Sequence, residues 1–280
     1  MFDYDPHIPL NIQERGCQQR DEVRIYDISY AGLSGQSVTA YLLVPPGEGP
    51  FASILFMHPS GTGRYAFLEE ALRITQSGTV ALLLDAPHAQ QPDQSFFSFT
   101  KADHDDFIQS VINLRRGVDL LHTRPDVDAS RTGFVGFSYG ASVGAMLASA
   151  EKRIKAYVLW GGGAHLSQFL QQYQQASTAY LEAMASLDSI HYINQATPAA
   201  LLFQNGRNDR NVPEHEAEAL YQAASDPKQH LWYNAGHALN GAACRDRFDW
   251  LRSQLDLISL SPPLMKELGT FKLKWMARPK

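Results

Sequence analysis

Short, nearly continuous apolar runs recur along the chain: ASILFMH (52–58), TVALLLD (79–85), RTGFVGF (131–137), KAYVLWG (155–161), AALLFQNG (199–206) and KQHLWYNAG (228–236). A strand that is apolar on both faces suits the interior of a parallel sheet, because helices cover both sides of it. Between the runs lie stretches with helical periodicity, at 66–77, 102–122, 139–150, 213–224 and 242–257. This alternation predicts one doubly wound α/β domain over residues 1–280. Earlier in the chain, EVRIYDISY and SVTAYLLVP flank AGLSGQ and predict an antiparallel hairpin at the edge of the sheet, for about eight strands in all. The connection 162–198 is too long for a simple crossover. Its segments HLSQFLQQY and STAYLEAMASL predict a small helical cap. A basic tail, 259–280, follows the last helix, and packing against the body or contact with another copy are both open for it.

Composition narrows the function classes. Hydrophobic content of 44% and charged content of 19% fit a globular protein with a sizeable core. A net charge of −5 gives no reason to expect nucleic acid or an anionic membrane as partner. The opening MFDYDPHIPL has neither the basic nor the apolar region of a secretory signal. No apolar stretch approaches the roughly 18 residues needed to span a bilayer. Cys17 and Cys244 fit no metal or redox spacing. The expectation is a cytoplasmic protein without a membrane partner; its oligomeric state is open, a homodimer included.

One stretch carries candidate chemistry. GFSYG, residues 136–140, places Ser138 between two glycines, where a strand run gives way to a small-residue helix. A nucleophile raised on a sharp strand-to-helix turn sits in strained backbone. Side chains two positions to either side would collide there, so glycine is needed at both. The alternative is a helix-capping serine beside incidental glycines; the strand–turn–helix context favours the elbow.

A serine hydroxyl needs a base and a carboxylate to orient that base. Sites in doubly wound sheets lie at the carboxyl ends of strands. Two later runs end in suitable residues: LLFQNGRND in Asp209 and LWYNAGH in His237. The order Ser, Asp, His along the chain is the one expected for this architecture. His58, His88, His165, His191 and His215 compete with His237, and Asp226 competes with Asp209 but precedes its strand. An oxyanion needs two N–H donors. Tyr139, directly after the serine, is one candidate. The loop HPSGTG supplies the other: Pro59 has no N–H, which makes Ser60 the next candidate and Gly61 the one behind it. His58 and Gly61, with the loop phenylalanines Phe96, Phe97 and Phe99, are candidate pocket residues. His58, His88 and Asp85 fit no recognised ligand set, so no metal and no cofactor is expected.

HPSGTG, GFSYGA, NGRND and AGH, in that order at strand ends, resemble the α/β-hydrolase superfamily. The likeness runs over roughly residues 23–257, and within the superfamily the chain resembles dienelactone-hydrolase-like, acetyl-xylan-esterase-like and prolyl-oligopeptidase-type catalytic domains. The resemblance implies an α/β-hydrolase fold, with Ser138 as nucleophile, Asp209 as acid, His237 as base and the amides of Tyr139 and Ser60 as oxyanion hole. The chain departs from the pattern in two places. Serine replaces the cysteine of dienelactone hydrolase proper, and Pro59 replaces the usual glycine of the loop. The function expected is a cofactor-independent serine hydrolase of small carboxylic esters. Amide, peptide or carbon–carbon bond hydrolysis remains open on the same fold, as does a non-catalytic binding protein.

Overall fold

The computed structural model describes residues 1–90 and 97–270. Phe96 and the last part of the basic tail lie outside the described residues.

The six apolar runs form six parallel strands. They are β4 (Phe51–Met57), β5 (Thr79–Leu84), β6 (Val127–Phe137), β7 (Ala156–Trp160), β8 (Ala200–Gly206) and β9 (Lys228–Tyr233). Ahead of them come β1 (Gln13–Arg20), β2 (Val23–Ala31) and β3 (Ser37–Val44), all antiparallel. The sheet order is β1-β2-β3-β5-β4-β6-β7-β8-β9. The hairpin of β2 and β3 is present, but it is not the edge of the sheet. β1 lies outside it, and its sequence QERGCQQR has an exposed side chain at nearly every position. An edge strand that buries neither face leaves no apolar alternation to read.

Helices cover both faces. On one side α2 (Lys101–His122) and α3 (Tyr139–Ala150) pack over Leu55, Met57, Leu82 and Phe134. On the other, α1 (Leu68–Thr75) and α7 (Gly241–Leu255) pack over Ile54, Phe56, Val135 and Val158. α1 is shorter than its periodicity predicts because residues 64–67 form a tighter 3₁₀ turn. Between β7 and β8 the chain carries α4 (Leu166–Leu170) and α5 (Thr178–Ala185), tied to the body by Tyr180, whose hydroxyl donates to Asp103 at 2.7 Å. α6 (Glu214–Ala223) connects β8 to β9. The start of the tail forms α8 (Pro262–Leu268), with Leu268 buried and Glu267 paired to Arg73 at 2.8 Å.

One charged pair crosses the second core. Glu70 on α1 and Arg247 on α7 are both fully buried and joined by two hydrogen bonds of 2.7 and 2.9 Å. Arg247 also donates to Gln204 at 2.7 Å, and its guanidinium lies 4.6 Å from the centre of the Trp160 ring.

Candidate active site

β6 runs straight into α3 through Ser138, whose backbone sits at φ 55° and ψ −110°. That is a sterically poor conformation for a residue with a Cβ and costs of order 1–3 kcal/mol. Its neighbours are fixed by contact. A Cβ on Gly136 would run into the carbonyl of Gly140, and one on Gly140 into the carbonyl of Met57 at the end of β4. The elbow therefore packs backbone to backbone, and the first turn of α3 is seated against the strand that leads into the HPSGTG loop.

Asp209, just past β8, and His237, just past β9, come together. The His237 Nδ1–H donates to an Asp209 oxygen at 2.6 Å. The other carboxylate oxygen accepts the N–H groups of Asn211 and Val212 at 2.8 and 3.0 Å. The Asp209 side chain is 0% exposed and that of His237 10%. A carboxylate so held fixes the ring orientation and leaves Nε2 as the open nitrogen. Ser138 and His237 line one cavity of about 530 Å³, together with Ser60 and Tyr139. Among the described contacts there is no hydrogen bond between the Ser138 hydroxyl and His237.

Trp160, the last residue of β7, connects the two. Its carbonyl accepts the Ser138 N–H at 2.8 Å and its indole N–H donates to the His237 carbonyl at 3.1 Å. Its ring stacks on Phe137 at 4.1 Å. Sequence reasoning treats Trp160 as one more apolar strand residue. Nothing in its spacing marks a link to His237.

The loop after β4 is braced from behind. His58 is buried, its Nδ1–H donates to the Pro59 carbonyl at 2.8 Å, and its Nε2 accepts the Ala86 N–H at 3.0 Å. Burial, with the nearby His88 adding to it, pushes its pKa down to about 4, so the ring is neutral at ordinary pH. Thr62 donates to the same Pro59 carbonyl at 2.8 Å. These contacts aim the loop so that Ser60 reaches the cavity, while Gly61 and His58 do not line it.

Tyr139 is anchored through its side chain. The phenol donates to Asp106 at 2.6 Å and lies 2.8 Å from the Ser110 hydroxyl; burial, then Asp106, push its pKa well up. His88 bonds to the same Asp106 through its ring at 2.9 Å and its backbone N–H at 2.8 Å. His88 is thereby placed behind the elbow rather than in the main cavity.

Of the expected pocket phenylalanines, Phe97 lines the cavity, whereas Phe99 packs instead on Tyr173 and Tyr180 at 5.4 and 5.7 Å. Phe107 of α2, with Phe169 and Tyr173 from the segment between β7 and β8, completes an aromatic side. His165 and His215 border the cavity; His165 is bonded to Glu216, and the His215 side chain is 75% exposed. Asp226 is exposed and sits at the opposite end of β9 from His237. Among the described residues no group of three or more His, Cys, Asp or Glu is arranged to hold a metal ion, and no helix is long and apolar enough to cross a membrane.

Known proteins agree with this architecture. The esterase FrsA of Salmonella schwarzengrund (strain CVM19633) is 26% identical over 270 residues, covering 85% of this chain and 61% of its own. The chain thus spans about three-fifths of the length of that curated relative. Among solved structures, an acetyl xylan esterase from Paenibacillus sp. R4 superposes with a TM-score of 0.75 at 19% identity, covering 88% of this chain and 90% of that one. Acetyl xylan esterase 1 from Thermoanaerobacterium sp. JW/SL YS485 does so with a TM-score of 0.72 at 16% identity, covering 94% and 89%. These likenesses give the α/β-hydrolase fold. The family described as serine hydrolase (FSH1) matches residues 65–239, well over half of the chain, and the chain belongs to that family.

Proposed function

We propose that the protein is a carboxylesterase in which Ser138 is the nucleophile, His237 the general base and Asp209 the residue that orients it. The observation that carries this reading is the 2.6 Å bond from His237 to a fully buried Asp209, in a cavity that also receives a strained Ser138. With Nδ1–H committed to Asp209, Nε2 takes the Ser138 proton as the hydroxyl oxygen attacks the ester carbonyl carbon. The carbonyl becomes an oxyanion, for which the N–H groups of Tyr139 and Ser60 are the donors. Collapse breaks the ester C–O bond, and the proton passes from Nε2 to the departing alcohol. A water molecule then gives a proton to the same nitrogen and attacks the acyl carbon; the bond from the Ser138 oxygen to that carbon breaks, the proton returns from Nε2 to the serine oxygen, and the acid is released. The Ser138–His237 hydrogen bond closes when the ester enters, as catalytic hydrogen bonds often tighten only in the complex. The esterase names of the FrsA relative and the acetyl xylan esterase neighbours support an ester over an amide.

The test is labelling with a fluorophosphonate, run beside p-nitrophenyl esters of increasing chain length and aminoacyl anilides. The parent is expected to be labelled and to cleave the esters. Ser138→Ala is expected to lose both, with turnover lowered by ~10⁴-fold or more. Labelling that survives the substitution assigns the chemistry to another serine. Anilide cleavage outrunning ester cleavage makes the protein an amidase, and a parent that does neither is a binding protein.

A further inference from the structure

The cavity has two unlike sides. One is the aromatic side of Phe97, Phe107, Phe169 and Tyr173. The other comes from the loop between β8 and α6, where Arg210 follows Asp209. Among the described residues the Arg210 guanidinium makes no hydrogen bond and has no carboxylate within ion-pairing distance. Its neighbour Arg207 is exposed as Arg210 is, but is paired to Glu214 at 2.9 Å and lies over the Trp232 ring at 5.3 Å. The acids nearby are already engaged. Asp209 is hidden behind His237. Glu216, the one carboxylate among the described lining residues, accepts the His165 N–H at 2.8 Å and the His165 ring at 3.1 Å. An exposed arginine without a counter-charge among the described residues thus stands on the lining of a cavity whose carboxylate is already engaged. Arginine's planar fork suits a carboxylate, which it can hold with two parallel hydrogen bonds.

We propose that the site takes esters carrying a carboxylate, which Arg210 holds while the aromatic side takes the apolar remainder. This rests on the reading of Ser138 as nucleophile and names the substrate class for it. A cavity of about 530 Å³ has room for both parts, since pockets for small organic ligands run from ~300 to 1,000 Å³.

Two matched pairs of esters test it. Mono-p-nitrophenyl glutarate against p-nitrophenyl pentanoate puts the charge on the acyl part. 4-Acetoxybenzoate against p-tolyl acetate puts it on the alcohol. In at least one pair the parent is expected to favour the anionic member by ~10-fold in kcat/KM, chiefly through KM, and to favour it less in high salt. Arg210→Gln should bring that ratio to near one, and Arg210→Glu should invert it; melting curves check that both variants are folded. A parent that favours the neutral member of both pairs, or an unchanged ratio in Arg210→Gln, overturns the proposal while leaving the esterase reading standing. Absence of turnover on all four esters, together with no fluorophosphonate labelling, overturns that reading and this one with it.

Discussion

The indole N–H of Trp160 donates to the main-chain carbonyl of His237 at 3.1 Å. Because the Trp160 carbonyl also accepts the Ser138 N–H at 2.8 Å, one residue at the end of β7 ties the serine of one loop to the histidine of another. The bond is neutral and partly buried, and its loss should shift the imidazole more than it unfolds the chain. Trp160→Phe keeps an aromatic ring against Phe137 and removes the N–H, together with part of the ring that lies under Arg247. It is expected to lower kcat on a p-nitrophenyl ester about 10-fold with KM little changed, since misplacing a catalytic group by ~1 Å costs up to 100-fold. Steady-state kinetics beside a thermal melt checks this, and an unchanged kcat would remove Trp160 from the positioning of His237.

Ser138 should be a stability liability. Glycine tolerates φ 55°, so Ser138→Gly is expected to be inactive but more stable, by about 1 kcal/mol or ~2–4 °C in Tm for a chain of this size. Calorimetry of the two proteins decides it. A lower Tm in the variant would mean that the backbone at 138 is not strained.

His58 makes stability depend on pH. Its folded pKa of about 4 lies below the ordinary 6.5 because burial, and then His88, disfavour the charged ring. As pH falls through 6.5 the unfolded chain takes up that proton first. The stability present above pH 6.5 is therefore lost between 6.5 and 4, ~2 kcal/mol of it by pH 5. Urea unfolding at pH 7 and pH 5 should show this loss in the parent and a smaller one in His58→Asn. Equal losses in the two proteins would assign the pH dependence elsewhere.

The Glu70–Arg247 pair should behave as a unit. Glu70→Leu alone leaves a buried guanidinium without its counter-charge and is expected to cost ~3–5 kcal/mol. Replacing both together, as Glu70→Leu with Arg247→Met, should cost clearly less than the sum of the two single changes. Denaturant midpoints of the four proteins measure the coupling, and simple additivity would contradict it.

The parallel strands inside the sheet were legible because both their faces are buried, and a run such as SILFM or VALLL has no other economical reading. β1 was not, since nearly all its side chains face solvent and its pairing with β2 is a backbone property. The strand-end rule picked out Asp209 and His237, which the fold brings to 2.6 Å of each other across 28 residues of chain. The same rule pointed to His58 as a pocket residue, but its ring turns back onto Pro59 and Ala86. The rule locates a residue at the end of a strand and says nothing of which way its side chain turns. Trp160, Asp106 and the Glu70–Arg247 pair were out of reach for another reason. Their partners lie far off in the chain, 177 residues apart in the last case, and no local period encodes them.

The cavity is assembled from two parts held by different means. Its floor is strand ends and the elbow, where Gly136, Gly140 and the Met57 carbonyl meet with no side chain between them. Its roof includes Phe169 and Tyr173 from the insertion after β7, fastened by discrete polar latches such as Tyr180 to Asp103 and His165 to Glu216. A change of sequence in the roof can alter which molecules fit without disturbing the backbone contacts that shape the floor. Directed evolution of substrate range in this protein should therefore gather its accepted substitutions in the insertion and leave the elbow untouched.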